Sequence, residues 1–273
     1  AAVPVFDNGA GSYIRISGTQ HMEAVSSMPD WLAQMLHNLI LTGQCTDITL
    51  ELNDSLMTKV LDSGTVSTSP DFVLTGTCTT SFQTSGANRS NNIVVGASRL
   101  NNLIVMPGQT VSVSDTILPR TRANGYKEAG VYVNGAHTTG LGGGVCQISS
   151  TVYNAVKNAG LTVVQRNPHS MPVSYLPKGL DAAIAAGSKD LKFRNDYTTP
   201  VVLYTDTSNK HLTVNVLVWN QELAGRSFKL WAKQTGALSA DTYFTTYQNG
   251  KEISTQFVGT SRYNPYREAV NDD

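Results

Sequence analysis

The sequence has little charge and no bias in its sign. Its 20 Lys and Arg offset 20 Asp and Glu, and only 15% of the 273 residues are charged. Such a chain has no bulk field to draw nucleic acid or an anionic membrane surface, so neither is an expected partner. Long apolar runs are missing too. No stretch approaches the roughly 18 residues that a spanning helix requires, and no basic-then-apolar segment opens the chain, so no membrane span is expected in this fragment. The chain starts at Ala1 rather than Met, as expected of a mature fragment whose targeting or anchoring segment has been removed. Cysteine is scarce, three residues in all. With no CxxC or HExxH spacing, neither a metal (a Cys146, His169, His137 zinc site included) nor any other cofactor is expected.

What is present points to an extracellular, β-rich protein: 40% hydrophobic residues, 23 glycines and abundant Thr, Ser and Asn. In an oxidising compartment two of three cysteines pair and one remains. Cys45 and Cys78 both sit in Gly/Thr-rich strand or turn contexts, so a Cys45–Cys78 disulfide is expected, with Cys146 left free. The competing reading is three reduced core cysteines in a cytosolic protein.

Patterning divides the chain into three. Residues 1–70 read as a small α+β domain: a helix with Trp31, Leu32, Met35, Leu36, Leu39 and Ile40 on one face, an alternating strand at 46–52, and a short helix carrying Leu56, Met57, Val60 and Leu61. A Gly/Thr/Ser/Pro-rich linker spans 63–70. Residues 71–221 read as mostly β. Asn88 or Ser90 can cap a helix bearing Ile93, Val94, Ala97 and Leu100, and short strands follow at 110–113, 130–133, 161–164, 191–193, 201–204 and 212–219 around one central helix. Residues 222–273 read as a β-hairpin extension whose turn is Asn249-Gly250. The fold class is therefore α+β.

The chemistry concentrates where Gly142-Gly143-Gly144 runs into Val145-Cys146-Gln147. Val145, Ile148, Val152, Ala155 and Val156 mark a helix, so Cys146 falls in its first turn, where unpaired N–H groups and the helix dipole favour a thiolate and a developing oxyanion. A base is needed. His169, stiffened between Pro168 and Pro172, is the first candidate, and His137 the second. Asp181, Asp190 or Asn195 can orient it, with Asp190 favoured because it alternates with the apolar residues of 189–193. The competing readings are a cysteine packed against a close backbone and a histidine bonded to a loop carbonyl. A phosphate cradle is disfavoured, since the glycines lack the following Lys-Ser/Thr.

These blocks also resemble a family. Asn88-Arg89, Arg120-Thr121, Gly125-Tyr126, the run from Gly142 through Cys146-Gln147 to Ala155, His169-Ser170-Met171-Pro172-Val173-Ser174-Tyr175 and Asp190 to Asn195 together resemble the VanW family, over roughly residues 72–218. The family takes its name from an accessory protein of a vancomycin-resistance cluster. The resemblance implies an exported or membrane-anchored protein of Gram-positive bacteria, extracellular or at the cell surface, with a wall-associated domain before the VanW segment and a short β module after it. Gly143, Gly144 and Gln147, with Arg120 and Tyr175, are the expected substrate-binding residues. One departure is visible: the family commonly has Gly-Arg-Asp where this chain has Gly179-Leu180-Asp181, so no arginine stands there to make a contact.

Two functions are compatible with this reading. One is a cysteine-dependent hydrolase or acyltransferase of cell-wall peptide or amide bonds, using Cys146 and His169. The other is a noncatalytic module that binds peptidoglycan or a related envelope polymer.

Overall fold

The computed structural model describes residues 12–15, 22–25, 72–133, 136–185 and 187–265. It divides into two compact units, Ala1–Val73 with Val218–Ala224, and Leu74–Leu217 with Gly225–Asp273. Of the first unit, strands β1 (Ser12–Arg15) and β2 (Met22–Val25) form an antiparallel pair. The helices and strand expected between residues 29 and 61, and Cys45, lie outside the described residues.

The second unit is mostly strand. Strands β3 (Phe72–Ser81), β4 (Leu103–Val105), β10 (Val201–Asp206) and β11 (His211–Trp219) form a sheet in the order β3-β11-β10-β4. Val201, Val202 and Leu203 are all fully buried on β10, as befits a central strand covered on both faces, whereas β11 alternates, burying Leu212, Val214 and Val216. The helix Ala87–Ser98 packs on β10 and contributes Ile93 and Ala97, both inaccessible to solvent. Each such aliphatic side chain as Ile93 stabilises the fold by about 1.5–3 kcal/mol. The cap of this helix is Gly86, not Asn88 or Ser90; the Asn88 amide instead donates to the Glu128 carbonyl at 2.9 Å.

A second sheet, β5 (Thr110–Ser112), β9 (Lys192–Arg194) and β8 (Thr162–Gln165), and a hairpin of β6 (Glu128–Val133) with β7 (Ala136–Leu141) complete this part. The helix Val145–Asn158 joins β7 to β8 and packs against the Ala87–Ser98 helix. Its eleven buried residues include polar ones, Gln147, Ser149, Ser150, Thr151 and Asn154. A buried polar face demands partners, and those partners build the site described below.

The C-terminal residues form a three-stranded sheet rather than a lone hairpin: β12 (Arg226–Gly236), β13 (Ser239–Gln248) and β14 (Lys251–Arg262). Asn249 and Gly250 turn with φ of 49° and 77°, the positive values that a two-residue hairpin turn requires. This sheet belongs to the same compact unit as residues 74–217. Tyr263, just past β14, donates its N–H to Leu238 O, and Asn264 N–H donates to Ser170 O at 2.7 Å. Among the described residues no helix is long and apolar enough to cross a membrane.

Candidate functional site

Cys146 is the second residue of the Val145–Asn158 helix, whose N-cap is Gly144 with φ 109°. A Cβ on Gly144 would lie 3.0 Å from Arg89 Cγ, and one on Gly142 (φ 82°) would lie 3.0 Å from Arg120 Cδ. The glycines thus let two arginine stems lie across the loop that leads into the helix. Gly143 is needed for another contact, since its Cβ would fall 2.5 Å from the Gly130 carbonyl oxygen. The first N–H groups of a helix have no intrahelical acceptor. Val145 and Gln147 spend theirs on the carbonyls of Gly142 and Gly144, and among the described residues the Cys146 N–H has no backbone acceptor.

The buried polar side chains of this helix hold the irregular segment 180–182. Ser150 Oγ accepts from the Ala182 N–H at 3.0 Å, Ser149 Oγ donates to the Ala182 carbonyl, and the Asn154 amide donates to the Leu180 carbonyl at 2.7 Å. Between those anchors stands Asp181, fully buried. Its Oδ1 accepts from Tyr263 Oη at 2.5 Å and Arg166 Nη2 at 3.3 Å. Oδ2 is paired with His169, through Nδ1 and through the backbone N–H, each at 2.7 Å. Arg166 also donates from Nε to the Asp181 carbonyl and lies over the Tyr153 ring.

His169 therefore points inward, with Nδ1 committed to Asp181, and its imidazole is electrostatically coupled to the Cys146 thiol. Burial works against each charge, yet the partners win. Burial alone would raise Asp181, but the hydrogen bonds from His169 and Tyr263 and the Arg166 charge hold it at about 2. Burial alone would lower His169, but Asp181 and Cys146 raise it to about 9. Burial alone would raise Cys146, but the His169 hydrogen bond and charge, with Arg120 beyond, bring it below the ordinary thiol value. The proton of the pair consequently favours the imidazole. Cys146 is only half-buried and lines a cleft of about 1210 Å³. When protonated, its thiol reaches the Ile184 carbonyl at 3.3 Å.

The five residues expected to bind substrate, Arg120, Gly143, Gly144, Gln147 and Tyr175, all line this cleft. Gln147 is nonetheless fully engaged: its amide NH2 donates to Thr80 Oγ1 and Ser81 O, and its Oε1 accepts from Arg89 Nη2 at 2.9 Å. Tyr175 lies 3.4 Å from Ser150 Oγ, and burial pushes its phenol well above the ordinary range.

Asp190 does not orient His169. Its carboxylate accepts from Ser112 Oγ at 2.6 Å and Ser114 N–H at 3.0 Å, which ties β5 to the segment before β9. Asn195 is likewise structural, donating to the carbonyls of Val105 and Thr199. His137 is on β7, opposite Tyr132 in register. Cys78 is a free thiol on β3, pushed up to about 12 by burial, so the structure lends no support to its expected disulfide with Cys45, which lies outside the described residues. Among the described residues no three His, Cys, Asp or Glu side chains group as a metal cage.

Residues 88–217, which span this site from Arg89 to Asp181, match the sequence profile of the family described as VanW like protein. The chain is 42% identical over 128 residues to the uncharacterized protein YoaR of Bacillus subtilis (strain 168), covering 47% of this chain and 42% of that protein. It is 36% identical over 114 residues to the vancomycin B-type resistance protein VanW of Enterococcus faecalis (strain ATCC 700802 / V583), covering 40% of this chain and 42% of that one. It thus spans less than half the length of these curated relatives, and no solved structure matches it. The profile match places a VanW-like domain at residues 88–217, the segment that carries Cys146 and His169.

Proposed function

We propose that this protein is an exported cell-envelope enzyme that cleaves or transfers an acyl group at an amide bond of peptidoglycan. In this reading Cys146 is the nucleophile, His169 the acid and base, and Asp181 the residue that orients His169. The observation that carries it is that one open cleft is lined both by the Cys146 thiol at a helix start and by His169, whose imidazole is hydrogen-bonded to the buried Asp181 carboxylate. The envelope assignment is carried over from the relative named a vancomycin B-type resistance protein, together with the low-charge, Thr-rich composition.

The chemistry proceeds in two halves. The Cys146 thiolate attacks the amide carbon, and the carbonyl electrons move onto oxygen, beside the free Cys146 N–H at the helix start. As the oxyanion collapses, the C–N bond breaks, His169 gives its proton to the leaving amine, and a thioester remains. Water or an acceptor amine then attacks the thioester, losing a proton to His169, and the acid or new amide departs as Cys146 regains its starting state.

Alkylation with iodoacetamide at pH 7, mapped by mass spectrometry, is the first test. Cys146 should be modified in the native protein while Cys78 is spared, and purified peptidoglycan should release soluble peptide fragments with the native protein but not with Cys146→Ser. A Cys146 that reacts only after unfolding, with no wall product, would return the protein to the noncatalytic binding role.

A further inference from the structure

The cleft beside Cys146 carries charge of one sign. Arg89, Arg120, His169 and Lys189 line it, and no Asp or Glu is among the described residues of its wall. Asp181 is sealed behind His169. In a protein of zero formal net charge, this concentration of cations in one concavity is a local arrangement and not a reflection of composition.

The two arginines are placed differently. Arg89 is preset: Ser85 Oγ and Gln147 Oε1 accept from its two terminal nitrogens, and Gln147 is itself fixed by Thr80 and Ser81. That leaves further N–H groups of the guanidinium fork, which has five. Arg120 is the opposite case. Its Nη1 is buried and has no hydrogen-bond partner among the described residues. A buried charged donor without an acceptor is costly. The stems of both arginines lie over the glycine loop, at Gly144 and Gly142, on either side of the entry to the Cys146 helix. Both guanidinium charges also act on the Cys146 sulfur.

We infer that Arg89 and Arg120 form a carboxylate-binding subsite, so that the substrate of Cys146 is a peptide bearing a free carboxylate close to the amide that is attacked. The inference rests on the reading of Cys146 as nucleophile. The planar guanidinium fork suits a carboxylate, which it binds through paired N–H donors. The anion also explains why this site has no acidic side chain of its own: one would occupy the arginines and exclude the substrate.

Two measurements separate this inference from the function on which it rests. The first compares iodoacetate with iodoacetamide on the native protein. The charge on iodoacetate disfavours its approach to a bare thiolate, so faster modification of Cys146 by iodoacetate reports the cationic subsite, and Arg120→Gln should reverse the preference. The second uses Cys146→Ala, which cannot react, and measures by calorimetry the binding of N-acetyl-alanyl-alanine and of the same peptide with an amidated C-terminus. The acid should bind at least about tenfold more tightly than the amide, the effect of one charge-assisted contact, and Arg120→Gln should erase the difference. Equal binding of acid and amide, or no binding by either, overturns the subsite even if iodoacetamide still labels Cys146. Inorganic phosphate displacing the acid at lower concentration than acetate does would overturn the assignment to a carboxylate. Failure of iodoacetamide labelling with retained acid selectivity would overturn the nucleophile and leave the subsite standing.

Discussion

His169 binds one oxygen of Asp181 twice, through Nδ1 and through its own backbone N–H, both at 2.7 Å. The double contact anchors the ring and the loop to one carboxylate oxygen, so the imidazole cannot turn without breaking its Nδ1 bond. Because Nδ1 is held, Nε2 is the ring nitrogen left for proton transfer, and the ring is oriented by a carboxylate that does not line the cleft.

Asp181→Asn should therefore weaken both stability and reactivity. The carboxylate sits at about 2 instead of its ordinary 3.8, so its stabilising effect is present above about pH 4 and is lost as pH falls through 2. A shift of that size corresponds to about 2 kcal/mol. Urea unfolding between pH 2 and 7 should show this loss in the native protein and a flatter curve for Asp181→Asn. The variant should also alkylate Cys146 more slowly at pH 7, because the imidazolium loses its counter-charge. Identical pH curves would show that the ion pair has no energetic weight.

The sequence made some of this legible and hid the rest. Gly142-Gly143-Gly144 before a 3.6-residue apolar period located the helix start, and the flanking prolines singled out His169. Strand periodicity gave a mostly β, α+β fold. The orienting group was not readable. Asp181 lies in an irregular segment with no period, held by polar side chains of the Cys146 helix, whereas Asp190 alternates with apolar residues and so drew attention. Alternation reports which face a residue occupies, not which partner it meets. Arg89 looked like any helix residue until Gln147, 58 residues on, was seen to bind it.

The pH dependence of Cys146 should have two limbs. Alkylation by iodoacetamide should already be substantial at pH 7, where an ordinary thiol is mostly protonated. Acyl transfer should instead fall as pH rises through about 9, where His169 loses the proton that the leaving amine needs. In His169→Gln the alkylation profile should move up towards that of an ordinary thiol, with the rate at pH 7 reduced by up to about tenfold for each unit of the rise. An unchanged profile in His169→Gln would remove His169 from the site.

Gly144→Ala should damage the site without touching a reactive group. The backbone there has φ 109°, and the new methyl would press on Arg89 Cγ at 3.0 Å. The expected cost is about 1–3 kcal/mol of stability. Thermal unfolding measures that cost, and slower modification by iodoacetate, more than by iodoacetamide, would trace the remaining effect to Arg89. A variant of native stability with unaltered rates would show that the loop has room to spare.

Tyr263→Phe tests whether the C-terminal sheet serves the site. The Tyr263 hydroxyl donates to Asp181 Oδ1 at 2.5 Å and accepts from the Gly179 N–H at 2.6 Å, so one oxygen ties the chain end after β14 to both sides of the segment that carries Asp181. Removing it leaves the Gly179 N–H without its acceptor and Asp181 with one donor fewer. The first effect should cost about 1–3 kcal/mol, the penalty for an unsatisfied buried group. The second should raise Asp181, since its carboxylate loses a hydrogen bond that favours the charged form. Acid unfolding of Tyr263→Phe should then begin at higher pH than in the native protein, and Cys146 alkylation at pH 7 should slow as the Asp181–His169 pair loosens. Loss of stability with an unshifted acid limb and native alkylation would instead confine Tyr263 to packing, because a change that leaves the carboxylate's proton affinity alone cannot reach the imidazole through it.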